Sequence, residues 1–574
     1  MRKKLALVLL LGVAFYPAGR AQEVPPAAKP PEQQVGGLQF FDVTEITVVN
    51  VDVTVRDKKG AVVLGLTKND FQVFQDGKPQ EITNFATYTR RVTKALPTPE
   101  ATPVLSPAPA ATPVPAEGLE ETFREPRFLA LYVDNENIHP LNRNRVLTRL
   151  TEFVNENLRA PDQVLVASFQ KSLKIVQSFT SDPDEVSDAL RRLRKYTGGR
   201  TEMLSSRREI EDYIHQQSSN AETVQRAIDR VRAFAREQRN SLIFTVRALQ
   251  DIMTMMAGLP GKKAIIYVSD GLPMSPGLEL FYEIQESYRE MGAISQSREF
   301  DATEFFQSLT RTAAAANITL YTIDARGLES ELGMEAENRA PRSTLGASIA
   351  RTNYQDSLIF LAEQTGGLAI VNTNDVGPGL EKIATDFETY YFLGYRLVPS
   401  GEDKLHRIDV KVKNHPEYQL FYRRTFVEKS LPTRIADRVI SGLAFDLQDN
   451  PLGIEVTTGK PAPTSNRYWT LPVEIRIPIK NLALVPSGQQ YVGSIMVYYA
   501  ARDDEGKQSD LQRRQHDVSI PQEDYERAQH QYYTVSASLL LEPGTYRISV
   551  GVRDVLTNQA GFSAIRRAVH PELK

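Results

Sequence analysis

Apolar residues recur with a period of two in two segments that lie far apart in the chain. One segment runs from Ile46 to Val55, and the other covers residues 408–413 and 418–423. This spacing is typical of strands that bury one face. It predicts an N-terminal β-unit at residues 43–92 and a β-hairpin segment at residues 395–426, and the two segments could pair in one sandwich.

Between these segments, short continuous apolar runs alternate with stretches of helical spacing. The runs are FLALYVD, QVLVASFQ, KAIIYVSDG, ITLYTIDA and GGLAIVN. Strands that are buried on both faces have this pattern, so residues 123–394 are predicted to form a Rossmann-type α/β domain with a mostly parallel sheet and helices on both faces. LKIVQSFT follows QVLVASFQ too closely for a crossover helix, and we expect these two strands to be antiparallel.

Two further segments complete the predicted organisation. Residues 93–122 are rich in proline and alanine, which cannot build a core, and should form an extended linker. Residues 440–574 contain short alternating strands separated by turn residues, such as LPVEIRIPI, GSIMVYYAA and TYRISVGVRD. This pattern predicts a C-terminal β-sandwich of the immunoglobulin-like kind.

The N-terminus has the three parts of a secretory signal peptide. A basic start precedes the apolar run Leu5–Tyr16, which is too short to span a bilayer, and small residues stand at Gly19 and Ala21. We therefore expect a cleaved signal peptide at residues 1–21 and a flexible lead-in at residues 22–42. The protein would then be secreted or periplasmic, with no membrane span after signal cleavage.

Composition excludes several classes of function. The net charge is −3 and no block of lysine or arginine stands out, so we expect no nucleic-acid partner. Cysteine is absent, which rules out disulfides, thiol catalysis and lipid attachment to cysteine. The sequence also lacks a Gly-x-Ser-x-Gly elbow, a phosphate-binding loop and His-rich zinc spacing. We therefore predict that the protein is not an enzyme.

Several motifs in a fixed order carry a resemblance to a known family. They are VNVDVTVRDKKG, FLALYVD, GKKAIIYVSDGL, ANITLYTIDARGL, LAEQTGGLAIVNTND and YYFLGYRL. In these motifs the chain resembles the VWFA-related family of exported bacterial proteins, described chiefly from acidobacteria. The resemblance covers residues 43–426 and implies a von Willebrand factor A fold framed by short β-segments. It implies no settled biochemical activity.

The resemblance also implies a place for a metal-ion-dependent adhesion site. Such a site uses Asp-x-Ser-x-Ser in a first loop, a threonine in a second and an aspartate in a third. Here Asp134 matches the first aspartate and Asp270 the last, but Glu136 and Ile138 stand in place of the two serines. The motif is therefore degenerate, because isoleucine cannot bind a metal.

The threonine of the second loop is either Thr197 or Thr201 in the run YTGGRT. In one interpretation, Asp134, Glu136, Thr201 and Asp270 hold a divalent cation, Mg²⁺ or Ca²⁺, because hard cations prefer oxygen ligands. In the other, the carboxylates only end strands and cap the following helices through backbone N–H groups. No cofactor is certain from the sequence.

These observations favour an exported protein-binding or scaffolding protein with a degenerate adhesion site, whose partner is another protein. Two alternatives stay open. One is a metal-assisted hydrolase that uses the carboxylates of Asp134 and Asp270, and the other is a purely structural component of the cell envelope.

Overall fold

A computed structural model describes residues 47–89, 126–217, 220–328, 344–447, 449–465 and 467–569. The predicted signal peptide at residues 1–21, the lead-in at residues 22–42 and the linker at residues 93–122 lie outside these residues. Within them, no helix is long and apolar enough to cross a membrane.

The described chain begins with four strands. They are β1 (Thr47–Arg56), β2 (Phe71–Gln75), β3 (Lys78–Gln80) and β4 (Ile82–Tyr88). The turn between β2 and β3 is Asp76-Gly77, and both residues have positive φ angles, of 50° and 78°. Two-residue hairpin turns of this kind match the twist of the strands they join.

An α/β region follows. Its elements are β5 (Phe128–Asp134), α1 (Pro140–Asn157), β6 (Gln163–Gln170), β7 (Ser172–Thr180), α2 (Pro183–Leu193), α3 (Arg200–Gln216), α4 (Ala221–Ala257), β8 (Lys263–Ser269), α5 (Leu278–Tyr288), α6 (Ala293–Gln296), α7 (Thr303–Ala316), β9 (Ile318–Asp324), α8 (Thr344–Thr365), β10 (Ala369–Ile370) and α9 (Gly377–Glu388). The side chain of Asn220 caps α4 by accepting a hydrogen bond from the Thr223 N–H.

The six strands of this region form one sheet in the order β10-β9-β8-β5-β6-β7. Neighbouring strands are parallel except for β6 and β7, which are antiparallel, as the short connection between them predicts. Counted along the region, the order is 6-5-4-1-2-3, which is the doubly wound arrangement. In such sheets the strand order reverses beside the first strand, and ligands bind beyond the carboxyl ends there.

Alternate residues of each central strand enter two different cores. On β5, Ala130 and Tyr132 pack with α4, α7 and α8 on one face, and Leu129, Leu131 and Val133 pack with α1, α2 and α9 on the other. All seven residues of β5 are buried. The predicted fold class is therefore confirmed: a mostly parallel sheet with helices on both faces, accompanied by antiparallel sheets.

Four strands follow the α/β region and interleave with the first four. They are β11 (Tyr390–Leu397), β12 (Lys404–Val412), β13 (Gln419–Phe421) and β14 (Thr425–Glu428). Two four-stranded sheets result, in the orders β13-β1-β11-β4 and β14-β12-β2-β3. Both sheets contribute to one core, to which β1 gives Val51, Val53 and Val55 and β12 gives Ile408 and Val410. The α/β region is thus inserted between the neighbouring strands β4 and β11.

The rest of the chain is helix α10 followed by antiparallel strands. The elements are α10 (Leu431–Gly442), β15 (Glu455–Thr458), β16 (Ala462–Pro463), β17 (Trp469–Pro478), β18 (Val485–Ser487), β19 (Gln490–Asp503), β20 (Gln512–Pro521), α11 (Tyr525–Ala528), β21 (Tyr532–Leu541), β22 (Gly544–Asp554) and β23 (Ala560–Val569). Two sheets, one built around β17 and the other around β19 and β22, share a single apolar core. Helix α10 contacts both this unit and the end of α4, where the hydroxyl of Ser441 accepts a hydrogen bond from the N–H of Gly258.

Candidate functional site

The two aspartates matched to the adhesion motif lie beside each other at the carboxyl edge of the parallel sheet. Asp134 is the last residue of β5, and Asp270 directly follows β8, its parallel neighbour. The backbone N–H of Asp270 donates to the carbonyl oxygen of Asn137 at 2.9 Å, which joins the two loops. The exposed fractions are 0% for Asp134 and 1% for Asp270, so both carboxyls are closed off from solvent.

The Asp134 carboxyl is held by donors from within the chain. The Tyr267 hydroxyl, on β8, donates to Oδ2, and the side-chain amide of Asn137 donates to Oδ2 at 3.0 Å. The backbone N–H of Asn137 donates to Oδ1 at 3.1 Å. Burial nevertheless raises the pKa of Asp134 to about 6, against the lowering effect of these hydrogen bonds. The desolvation of the carboxylate therefore has a larger effect on the pKa than its stabilisation by the hydrogen-bond donors.

The Asp270 carboxyl is also committed to the protein. Its Oδ2 accepts a hydrogen bond from the backbone N–H of His139 at 2.8 Å, and the Asn142 side-chain amide lies 3.2 Å from both oxygens. The Nε atom of Arg200 is 3.4 Å from Oδ2. Burial raises the pKa of Asp270, and the charge of Arg200 opposes this shift. Asp270 therefore caps the start of α1 and forms a buried ion pair.

Arg200 reaches Asp270 because two glycines bring its backbone close to the loop after β5. A Cβ atom on Gly198 would lie 2.7 Å from the carbonyl oxygen of Ile138, and one on Gly199 would lie 2.9 Å from the carboxyl of Glu136. Only glycine fits at such distances. The Arg200 guanidinium lies 4.9 Å from the centre of the Tyr354 ring, in the range of a cation–π contact.

The other predicted site residues are less closely engaged. Glu136 is half-buried and lines a small cleft together with Arg200, Gly199 and Leu272. Thr201 is exposed in the first turn of α3. The structure therefore brings Asp134, Glu136 and Asp270 to one edge of the sheet and leaves the Thr201 side chain in solvent.

The remaining two residues of the motif have structural roles. The hydroxyl of Thr197 accepts a hydrogen bond from the side-chain amide of Gln170 at 3.0 Å, on the surface. Ile138 is fully buried in the core on the α1 face of the sheet. The isoleucine thus replaces a hydroxyl ligand with a packing contact.

These side chains do not fit a divalent cation. A Mg²⁺ or Ca²⁺ site needs several oxygen atoms with free lone pairs around one point. Here the oxygens of Asp134 and Asp270 accept hydrogen bonds, and a guanidinium stands next to Asp270. In the part of the chain that the structure describes, no group of three or more His, Asp or Glu side chains is placed to hold a metal ion.

Sequence reasoning missed the residues that close the site. Arg200, Tyr267 and Asn142 belong to separate elements, and nothing in their local sequence shows that they meet the two aspartates. A related pair lies at the end of the next strand, β9, where Arg326 donates through Nε and Nη2 to Asp324 at 2.9 and 2.8 Å.

The sequence contained one signal for the position of Arg200. The glycine pair in YTGGRT predicts a close backbone approach just before this residue.

The strand order, the antiparallel β7 and the loops at the carboxyl edge together define an α/β domain of the von Willebrand A type. No family model matches the chain, and no curated protein matches it. Solved structures that are similar to the chain share little sequence identity with it.

An aerotolerance-related membrane protein from Bacteroides fragilis is 11% identical with a TM-score of 0.23, and the match covers 46% of this chain and 97% of that one. The conserved hypothetical protein BatB from Bacteroides thetaiotaomicron is 14% identical with a TM-score of 0.22, over 46% of this chain and 96% of that one. A variant of the PilB minor pilin from Streptococcus sanguinis is 8% identical with a TM-score of 0.24, over 59% and 87%. At these values the likenesses support no inference about function.

The raised pKa of Asp134 predicts a specific pH dependence of stability. A carboxyl whose pKa rises from 3.8 to about 6 on folding stabilises the folded state fully below pH 4, and this contribution is lost as the pH rises to about 6. Asp134→Asn should remove this pH dependence. We expect the free energy of unfolding of the variant to be about 1–3 kcal/mol higher than that of the wild type at pH 7 and equal to it near pH 4. Urea unfolding at both pH values measures the difference. A variant that is less stable than the wild type at pH 7 would contradict this assignment.

Proposed function

We propose that the protein binds another protein through the carboxyl edge of the six-stranded sheet and does so without catalysis. The observation that carries the proposal is a difference in solvent exposure between the two aspartates and the residues around them. Asp134 and Asp270 are buried and hydrogen-bonded, whereas the rim of the same edge presents the half-exposed carboxyl of Glu136 and two exposed leucines, Leu141 and Leu328. Exposed apolar side chains beside polar ones are typical of interaction surfaces.

The two leucines belong to one surface. Leu141 lies one turn before Arg145 on α1, and these positions share a helix face. The guanidinium of Arg145 donates to the carbonyl oxygens of Ala325 and Arg326, at 2.6 and 2.9 Å, two residues before Leu328. The exposed fractions of Leu141 and Leu328 are 62% and 59%. Arg145 thus ties the start of helix α1, which exposes Leu141, to the loop after β9, which exposes Leu328.

Site-specific photocrosslinking in the source cell tests the proposal. A photoreactive residue at position 141 or 328 should give a discrete adduct with a partner protein, and Glu136→Lys should weaken that adduct because it puts a positive charge in place of the Glu136 carboxyl. The matched control is position 540, where Leu540 is also 59% exposed but lies on the C-terminal unit. Adducts that are equally strong from position 540, or none from either edge position, would contradict the proposal.

The hydrolase alternative receives less support from the geometry. A hydrolase of this kind would present its carboxylates to a substrate or to a polarised water. The exposed fractions of Asp134 and Asp270 are at most 1%, and their oxygens are occupied by hydrogen bonds from Tyr267, Asn137 and His139. Binding through the rim needs no rearrangement of these groups.

Export and family membership are part of the same proposal. The basic and apolar N-terminal residues support secretion to the periplasm or the medium. The ordered motifs between residues 43 and 426, together with the inserted α/β region, support membership of the VWFA-related family.

A further inference from the structure

Arg200 lies against the aspartate that the family resemblance matches to the third loop of a metal-ion-dependent adhesion site. Its Nε atom is 3.4 Å from Oδ2 of Asp270, the aspartate matched to the third loop of the adhesion motif. Arg200 also precedes Thr201, the candidate threonine ligand, whose side chain is exposed. The chain therefore directs a positively charged side chain, rather than a hydroxyl ligand, toward the aspartate.

We propose that the Arg200 guanidinium is the cation of this site, so that the sheet edge works without a divalent metal ion. The guanidinium is held on two sides, by the carboxyl of Asp270 and by the ring of Tyr354 at 4.9 Å. The exposed fraction of Arg200 is 7%, so water screens its charge little. This inference concerns the chemistry of the site and does not depend on which partner binds at the rim.

Charge explains why arginine and metal exclude each other here. A guanidinium stays protonated at all physiological pH values and repels a second cation at close range. It also withdraws Oδ2 of Asp270 from coordination, because that oxygen already faces Arg200 and the His139 N–H. A second arginine, Arg326, forms an ion pair with Asp324, and its charge acts on Asp270 less strongly than that of Arg200.

Removal of the guanidinium should make the edge of the sheet more favourable to a metal cation. Without Arg200, the Asp270 carboxyl would lose the guanidinium that lies 3.4 Å from its Oδ2 atom, and carboxylate oxygens are the ligands that hard cations prefer. The Nη1 atom of Arg200 is buried and has no hydrogen-bond partner among the described residues, so its loss leaves no donor bond broken at that atom.

Calorimetric titration of Mn²⁺ and Ca²⁺ into the mature protein tests the inference, with the wild type compared with Arg200→Ser and Arg200→Gln. We expect no saturable binding to the wild type and a new site in both variants with an affinity of about 10⁻⁴–10⁻³ M. Adding Asp270→Asn to either variant should abolish the new site. The glutamine variant keeps much of the side-chain volume and serves if the serine variant does not fold.

Arg200→Lys is the matched control, because it keeps the positive charge while changing its shape. It should bind no more metal than the wild type. Three results would overturn the inference: saturable binding to the wild type that Asp270→Asn removes, no binding to a folded Arg200→Gln variant, or equal binding to the lysine and glutamine variants.

Discussion

Asp386→Ala is expected to destabilise the protein by about 3–5 kcal/mol, the usual cost of stranding one member of a buried ion pair. Arg56 on β1 donates through Nη2 to Oδ1 of Asp386 on α9 at 2.6 Å, and the two side chains are only 6% and 4% exposed. Among the described residues, the Nε atom of Arg56 has no hydrogen-bond partner. Loss of the carboxyl would leave a guanidinium buried between the N-terminal strands and the α/β domain.

Urea unfolding followed by far-UV circular dichroism measures this effect, because the helices belong mostly to the α/β domain. The matched control is Glu152→Ala, which removes the exposed pair of Arg149 and Glu152 and should cost no more than about 0.5 kcal/mol. The double replacement Arg56→Met with Asp386→Leu should cost less than Asp386→Ala alone, since it buries no charge. If Asp386→Ala lowers the free energy of unfolding no more than Glu152→Ala does, the buried ion pair is not needed for stability.

Gly367→Ala is expected to cost about 3 kcal/mol or more, because the new methyl group has no space. Its Cβ atom would lie 1.9 Å from the carbonyl oxygen of Leu320, and Leu320 pairs with Ile265 inside the parallel sheet. The obstacle is backbone of β9, so relief would require the segment before β10 to move away from that strand.

Gly292→Ala is the matched control for that substitution. The nearest atom to a Cβ at position 292 is Oε1 of Glu290 at 3.2 Å, the end of a flexible side chain that can move away. We expect the melting temperature of this variant to lie close to the wild-type value, while that of Gly367→Ala falls sharply. Similar melting temperatures for the two variants would show that β9 yields to the methyl group.

The strands and their arrangement could be predicted where burial determines the spacing of apolar residues along the chain. The run FLALYV is apolar at every position because β5 is packed on both faces, and the alternation in β1 follows from the side of the strand that faces the apolar core. The antiparallel β7 followed from the short connection to β6 alone. These features depend on local spacing, which a sequence displays directly.

Only part of the candidate site could be predicted from the sequence. The carboxyl edge and its two aspartates could be predicted, because strand ends are local features and parallel neighbours align them. The ion pair joins the first residue of α3, Arg200, to Asp270 after β8, and the glycine pair before Arg200 indicates a close backbone approach without indicating which carboxyl the arginine meets. The closure of Asp134 by Tyr267 likewise depends on the side-chain direction on β8, a strand more than 130 positions away.

The most direct test of the metal-free edge is a crystal structure of the mature protein grown with Mn²⁺, examined by anomalous scattering. The expected result is the Arg200 guanidinium between Asp270 and Tyr354, with no anomalous peak at the edge of the sheet. A manganese peak within about 2.0–2.6 Å of the carboxylate oxygens of Asp134 or Asp270, with Arg200 turned away, would contradict it.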